Sequence, residues 1–186
     1  MARFTFAQVP TRDDLHALAL ALRGLRAANE RHHSAHQDQD LPRAYASLFE
    51  GVMWIAALDE RLCTLHGGDY KRAREQDPYG QVVLGIVWAR DRHAHQLPVS
   101  INVDSTPFFG SGRGIIALSS GIRWRQAHEL PPADPGMERG RTHYETHVAG
   151  RASFKPTSLS ERWFTKLAET PRCVLQVAAH PTSSVT

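Results

Sequence analysis

The sequence is poor in the residues that staple a chain together or insert it into a membrane. Two cysteines among 186 residues, Cys63 and Cys173, exclude a disulfide framework, and two thiols need histidine help before they can hold zinc. Both are expected to be reduced. No apolar run approaches the roughly 20 residues that cross a bilayer, and residues 1–10 lack the apolar core of a secretory signal. A cytoplasmic protein with no membrane partner is therefore expected. Repeats, low-complexity tracts and a linker long enough to divide the chain are also missing. With 41% hydrophobic and 22% charged residues, the chain can bury one real core.

Lysine is scarce too, at 3 against 19 arginines, which are joined by 11 histidines. Codon usage in a GC-rich genome accounts for much of such a bias. Its chemistry is nonetheless specific, because arginine forks onto phosphate or carboxylate and histidine titrates near neutrality. The net charge of +3 is unevenly placed. Residues 1–98 hold 12 basic and 12 acidic groups and residues 99–186 hold 10 and 7, so the excess lies in the second half.

Residues 11–30 read as an amphipathic helix with Leu15, Leu18, Leu22 and Leu25 on one stripe and Thr11 with Asp14 as a capping box. Residues 32–40 break the pattern. A second helix starts at Pro42, with Tyr45, Leu48, Phe49, Val52, Ile55, Ala56 and Leu62 inward, and stops at Gly67-Gly68. Asp77-Pro78 opens a third, with Tyr79, Val82, Val83, Ile86 and Val87 as its stripe, running to about His95. Residues 99–103 and 115–125 alternate as a hairpin would, around the glycine-rich 110–114. Asp134-Pro135 opens a short helix ending near Gly150. Ser158 and Glu161 cap another that carries Leu159, Trp163, Phe164 and Leu167, and residues 180–186 are expected to fray. The predicted fold is mainly α (α+β). It has an N-terminal helical bundle over 1–98 and, over 99–186, a β-containing extension with a small hairpin or sheet and short helices, packed on the bundle rather than independent.

The end of the third helix is the most specific stretch. Arg90 lies seven residues after Val83, about 20° from it on the apolar stripe. An arginine there needs a carboxylate, a partner chain or a phosphate, since an unpaired buried guanidinium costs several kcal/mol. Asp59, seven residues after Val52 on the second helix, is the internal candidate. Arginine followed by histidine at similar spacing recurs along the chain, but at a spacing of five residues only Arg90-Asp91-x-x-x-His95 adds the aspartate. About 0.1 such matches are expected by chance at this composition.

That motif resembles the signature of HEPN domains, small helical bundles in which Arg, a polar residue, three variable residues and His sit at a helix end. The resemblance covers about residues 11–98. Many members are metal-independent endoribonucleases that dimerise so that two motifs line one cleft. For this chain it implies a homodimer that cleaves single-stranded RNA without a cofactor. His95 would act as general acid or base in attack of the ribose 2′-hydroxyl, Arg90 would stabilise the charged phosphorane and Asp91 would orient either of them. Arg92 and His93 would add phosphate contacts. A regular helix places His95 about 140° from Arg90 and His93 about 60° away, so His93 stands beside His95 as the catalytic alternative. RNA target and any antitoxin or regulator are not encoded in the motif.

Other signals are weaker. His32 with His36, and His143 with His147, have i, i+4 spacing that could hold a metal if helical, but Glu145 is at the wrong offset for a metalloprotease base, and no metal site is assigned. Arg123 and Arg125 alternate with Ile122 and Trp124, giving a core face and an arginine face that suits phosphate contacts. Cys63 is expected to be structural. The alternative function is a non-catalytic dimeric scaffold that binds nucleic acid or nucleotide through its second half, with Arg90 sealed by Asp59.

Overall fold

The computed structural model describes residues 4–96, 100–104, 108–109, 116–117, 121–132 and 138–179, with side chains of 92–96, among others, outside the description. The first helix, α1 (Arg12–Gln37), starts on the expected reciprocal cap, with Thr11 N donating to Asp14 at 2.8 Å and Asp14 N donating to Thr11 Oγ1 at 3.2 Å. It runs seven residues beyond the predicted end. Ala35 and His32 extend the buried stripe of Leu18, Leu22 and Leu25, and His32 is tolerated there because both ring nitrogens are bonded. A short turn with Gln39 at φ 55 leads into α2 (Leu41–His66), whose cap Asp40 accepts from Arg43 N at 3.1 Å.

The two long helices pair as an antiparallel hairpin. A Cβ at Gly24 would meet the Trp54 indole at 2.5 Å, so the close approach of α1 to α2 depends on that glycine. Asp14 on α1 is bonded by Arg61 on α2. Phe49, expected inward, is 41% exposed on the outer face of α2, while Leu48, Val52, Ile55, Ala56 and Leu62 are buried as read.

Gly67, at φ 54, ends α2 as expected, but a further helix follows at once: α3 (Gly68–Gln76). The next, α4 (Pro78–Gln96), begins at the predicted Asp-Pro, with Asp77 Oδ1 accepting from Tyr79 N at 2.8 Å. Gly80 rests on α3, where a Cβ would lie 2.3 Å from the Arg74 carbonyl oxygen. Farther along, Gly85 admits the backbone of Tyr144 from α5 (Arg141–His147), which would lie 3.0 Å from an added Cβ.

The predicted β segment forms two nested pairs. Strand β1 (Ile101–Asp104) pairs antiparallel with β4 (Gly121–Trp124), in the register Ile101 to Trp124 and Val103 to Ile122. Between them in sequence, β2 (Phe108–Phe109) pairs with β3 (Ile116–Ala117). Residues 110–114, read as a hairpin turn, lie outside the described residues. Ile122 and Trp124 are buried and Arg123 is on the opposite face, as the alternation required. On the other edge of β4, Trp124 N donates to Arg151 O at 3.0 Å and Ser153 N to Ile122 O at 2.8 Å.

The predicted start at Asp134-Pro135 lies outside the described residues, and the described helix there, α5, is preceded by a short 3-10 turn, Glu138–Gly140. The next, α6 (Phe154–Ala168), starts four residues before the predicted cap. Ser158 is inside the helix, donating back to Phe154 O at 2.9 Å, and so caps nothing. The last helix is α7 (Val174–Ala179), and residues 180–186 lie outside the described residues. Helix α6 packs on α1, α2 and α4, and α7 on α1 and α6. One apolar core runs from Phe4 to Ala178, drawing on the bundle, the sheet and the last two helices. The architecture is mainly α with a small antiparallel sheet. Among the described residues, no helix is long and apolar enough to cross a membrane.

Candidate functional site

The last turns of α4 carry the predicted motif. The Arg90 side chain is 30% exposed and that of Asp91 18%, so the pair sits at the edge of the core. Arg90 Nε lies 2.9 Å from Asp91 Oδ1, sealed from solvent but without hydrogen-bonding geometry. Side chains one residue apart do not face each other across a helix, and this contact through Nε leaves the guanidinium fork uncommitted by Asp91.

The expected Arg90 to Asp59 pair does not form. Asp59 accepts from Tyr70 Oη at 2.7 Å and from Arg74 Nη1. The reason is α3, which the sequence did not reveal: it brings Tyr70 and Arg74 over the Asp59 stripe. The cluster is buried, with Arg74 and Asp59 at 8% and 6% exposure. The Arg74 guanidinium carbon is 5.5 Å from the Tyr70 ring centroid, and Trp163 Nε1 donates to Tyr70 Oη at 3.4 Å. Burial first, and the Asp59 charge second, push the Tyr70 hydroxyl well above its ordinary range. An arginine does satisfy Asp59, but it is Arg74 rather than Arg90.

The helix continues unbroken through Gln96, so by helical geometry position 93 follows position 90 at about 60° and position 95 at about 140°. The side chains of Arg92, His93 and His95 lie outside the described residues. Arg123 and Arg125 are placed on β4 and just beyond it, away from the sheet's core face. Arg123 Nη1 donates to Gly150 O at 3.0 Å. With Arg151, Lys155 and Glu145, Arg123 lines a depression of about 450 Å³. Arg125 is half-buried, its backbone N donating to Ser100 O at 2.8 Å.

Comparison with family models, curated proteins and solved structures finds no match. The assignment of chemistry therefore rests on the residues themselves.

Histidines form a second constellation, whose contacts sequence reading missed. His32 Nδ1 donates to Ala44 O at 2.7 Å, which fixes the tautomer, and Nε2 accepts from Ser153 Oγ at 2.8 Å. The same hydroxyl lies 3.4 Å from Nδ1 of the half-exposed His36. Burial lowers the His32 pKa to about 4. His36 is lowered by burial, then by the neighbouring His33 and Arg123 charges. His66 makes a third tie: Nδ1 donates to Thr5 O at 2.8 Å, Nε2 accepts from Val174 N at 3.0 Å, and burial lowers its pKa. No local pattern announces these contacts, since Ser153 is 121 residues from His32 and Val174 is 108 from His66.

With both nitrogens engaged, His32 is closed to the metal that its spacing to His36 suggested. His143 and His147 do share one face of α5, their rings stacked at 6.2 Å. Among the described residues, no three His, Cys, Asp or Glu side chains gather as a metal-binding group. Both cysteines are free, and burial raises the Cys63 thiol and pushes that of Cys173 to about 11, away from the thiolate that a nucleophile needs.

Proposed function

We propose that the chain is a metal-independent endoribonuclease, acting as a homodimer in the cytoplasm on single-stranded RNA. The observation that supports this most directly is Arg90. It is half-buried at the end of α4 with only the adjacent Asp91 in ion-pair range among the described residues, because Asp59 is already taken by Arg74. A guanidinium so placed suits an incoming phosphate, and its planar fork matches two phosphoryl oxygens.

In the proposed reaction a histidine of the motif removes the ribose 2′-hydroxyl proton and the 2′-oxygen attacks the adjacent phosphorus. Arg90, oriented by Asp91, stabilises the phosphorane, and a second acid protonates the departing 5′-oxygen. The products are a 2′,3′-cyclic phosphate and a 5′-hydroxyl. Continuity of α4 supports His93 as the closer in-chain partner of Arg90, and His95 as the second histidine of the site. Arg92 would hold flanking phosphates.

The test is cleavage of single-stranded RNA in EDTA by the wild type and by the Arg90→Ala, His93→Ala and His95→Ala variants. Cyclic-phosphate products that disappear with Arg90→Ala and one histidine variant are expected. Equal cleavage by all four proteins would place the activity elsewhere. Dimerisation is read by sedimentation.

A binding module is the second reading, favoured by the depression that joins Arg123, Arg151 and Lys155, in the half of the chain that holds the charge excess. It expects RNA binding without cleavage, weakened by Arg151→Glu and Lys155→Glu and untouched by Arg90→Ala.

A further inference from the structure

The molecule carries a separate, built groove on the face of α1 that meets α7. Its floor is Leu15, Ala19 and Leu22, at i, i+4 and i+7 on α1, with Ala178 of α7 opposite. Leu22 and Ala178 are buried, while Leu15 and Ala19 stay half-exposed. The cavity is about 750 Å³, with room for several aliphatic side chains.

Charge around it has one sign. Arg12, Arg23 and Arg26 stand along its margins with His16, and among the described residues no acidic side chain lines it. Arg26 is 3.7 Å from Glu161 of α6. Arg12 and Arg23 are exposed and have no ion pair among the described residues. Like charges three or four residues apart on a helix face, as Arg23 and Arg26 are, repel by a few tenths of a kcal/mol per pair. Such an array over an apolar floor is therefore not an arrangement that helix stability selects.

We infer that this groove docks an acidic amphipathic helix of a partner protein, apolar side down, with Asp or Glu reaching the arginines along its α1 side. Spacing decides among anionic occupants. Positions 12 and 23 are about 16 Å apart along the axis, and 12 to 26 span about 21 Å. A single-headed amphiphile meets the cations at one end only. A flat membrane surface meets the rim but not the recessed floor. A helix of about four turns meets both ends and fills the floor, as helix-in-groove recognition requires. The proposal is independent of the ribonuclease reading, since none of these residues belongs to the Arg90 motif.

The probe is a fluorescein-labelled 14-residue helical peptide with Leu at i, i+4, i+7 and i+11 and Glu at the exposed positions, titrated by anisotropy against the full chain. Its Lys-for-Glu counterpart, a fluorescent long-chain fatty acid and phosphatidylglycerol vesicles serve as comparisons. Saturable binding of the Glu peptide is expected, at least tenfold tighter than that of the Lys peptide and weakened with salt. It should weaken at least tenfold in the Arg12→Glu/Arg23→Glu variant, and also in Ala19→Trp, which fills the floor. Circular dichroism and Tm check that both variants fold. No saturable binding, equal binding of the Lys peptide, indifference to the charge-reversal variant, or binding of only the fatty acid or vesicles would each overturn the assignment.

Discussion

Lowering the pH from 7 to 4 should remove about 3 kcal/mol of stability through His32 alone. Its ring is 1% exposed, and burial holds its pKa at about 4 against the ordinary 6.5, with His36 and His33 acting in the same direction. The neutral ring gives Nδ1–H to Ala44 O and takes the Ser153 hydroxyl at Nε2. Since the folded pKa lies below the unfolded one, the unfolded chain binds the extra proton between them. The contribution is therefore intact above pH 6.5 and drains away as the pH falls toward 4. At about 1.36 kcal/mol per pH unit, the interval from 6.5 to about 4 gives the stated loss. His36, His66 and His147 are also lowered and add to acid sensitivity, so the His32 share must be isolated by difference. Urea unfolding followed by circular dichroism at pH 7, 6, 5 and 4 would compare the wild type with His32→Asn. The variant should be the weaker at pH 7, and the two curves should converge by about 3 kcal/mol toward pH 4. Parallel curves, or an NMR titration of the His32 ring near 6.5, would refute the reasoning.

Two contrasts follow from the ion pairs and the helix crossing. Arg74→Ala strands a buried Asp59 carboxylate and should cost about 3–5 kcal/mol, whereas Arg90→Ala, at a side chain 30% exposed, should stay within about 1 kcal/mol. Thermal melts of the two variants decide it, and a large loss at Arg90 would mean that Arg90 is sealed by structure rather than kept for a ligand. Gly80→Ala drives a Cβ into the Arg74 backbone, which cannot swing away as a side chain would. Tm should fall by several degrees, at about 2–4 °C per kcal/mol for a chain of this size.

Where the chain announces its helices, it does so through local chemistry. Pro42 and Asp77-Pro78 mark true starts, and apolar stripes mark the buried faces of α1, α2 and α4. Apart from the exposed Phe49, the failures share a cause, which is polar groups buried by partners distant in sequence. His32 reads as the end of a stripe, yet Ser153 and Ala44 make it part of the core. Helix α3 shows no stripe because its buried residues are Tyr70 and Arg74, and those are stable inside only because Asp59 faces them. That same missing helix misdirected the partner assigned to Arg90. Ser158 has the spacing of a cap, but the pairing of Ser153 N with β4 lets α6 start earlier. In the candidate site, Arg90 and Asp91 were legible because they are neighbours on one strongly periodic helix. The acidic-helix groove was not, since its second wall is α7, more than 150 residues away along the chain.

The His66 tie bears on the order in which the molecule assembles. One imidazole joins Thr5 to Val174, closing a loop that embraces almost every described element, whereas the α1–α2 hairpin closes across a short turn. Closure entropy grows with the length of chain enclosed, so the hairpin can form early while the ring at His66 waits until α6 and α7 have docked. A change at His66 should then speed unfolding and leave the folding rate nearly untouched. The Val174 side of that tie is thus fastened last and released first, by a latch whose key is a neutral ring.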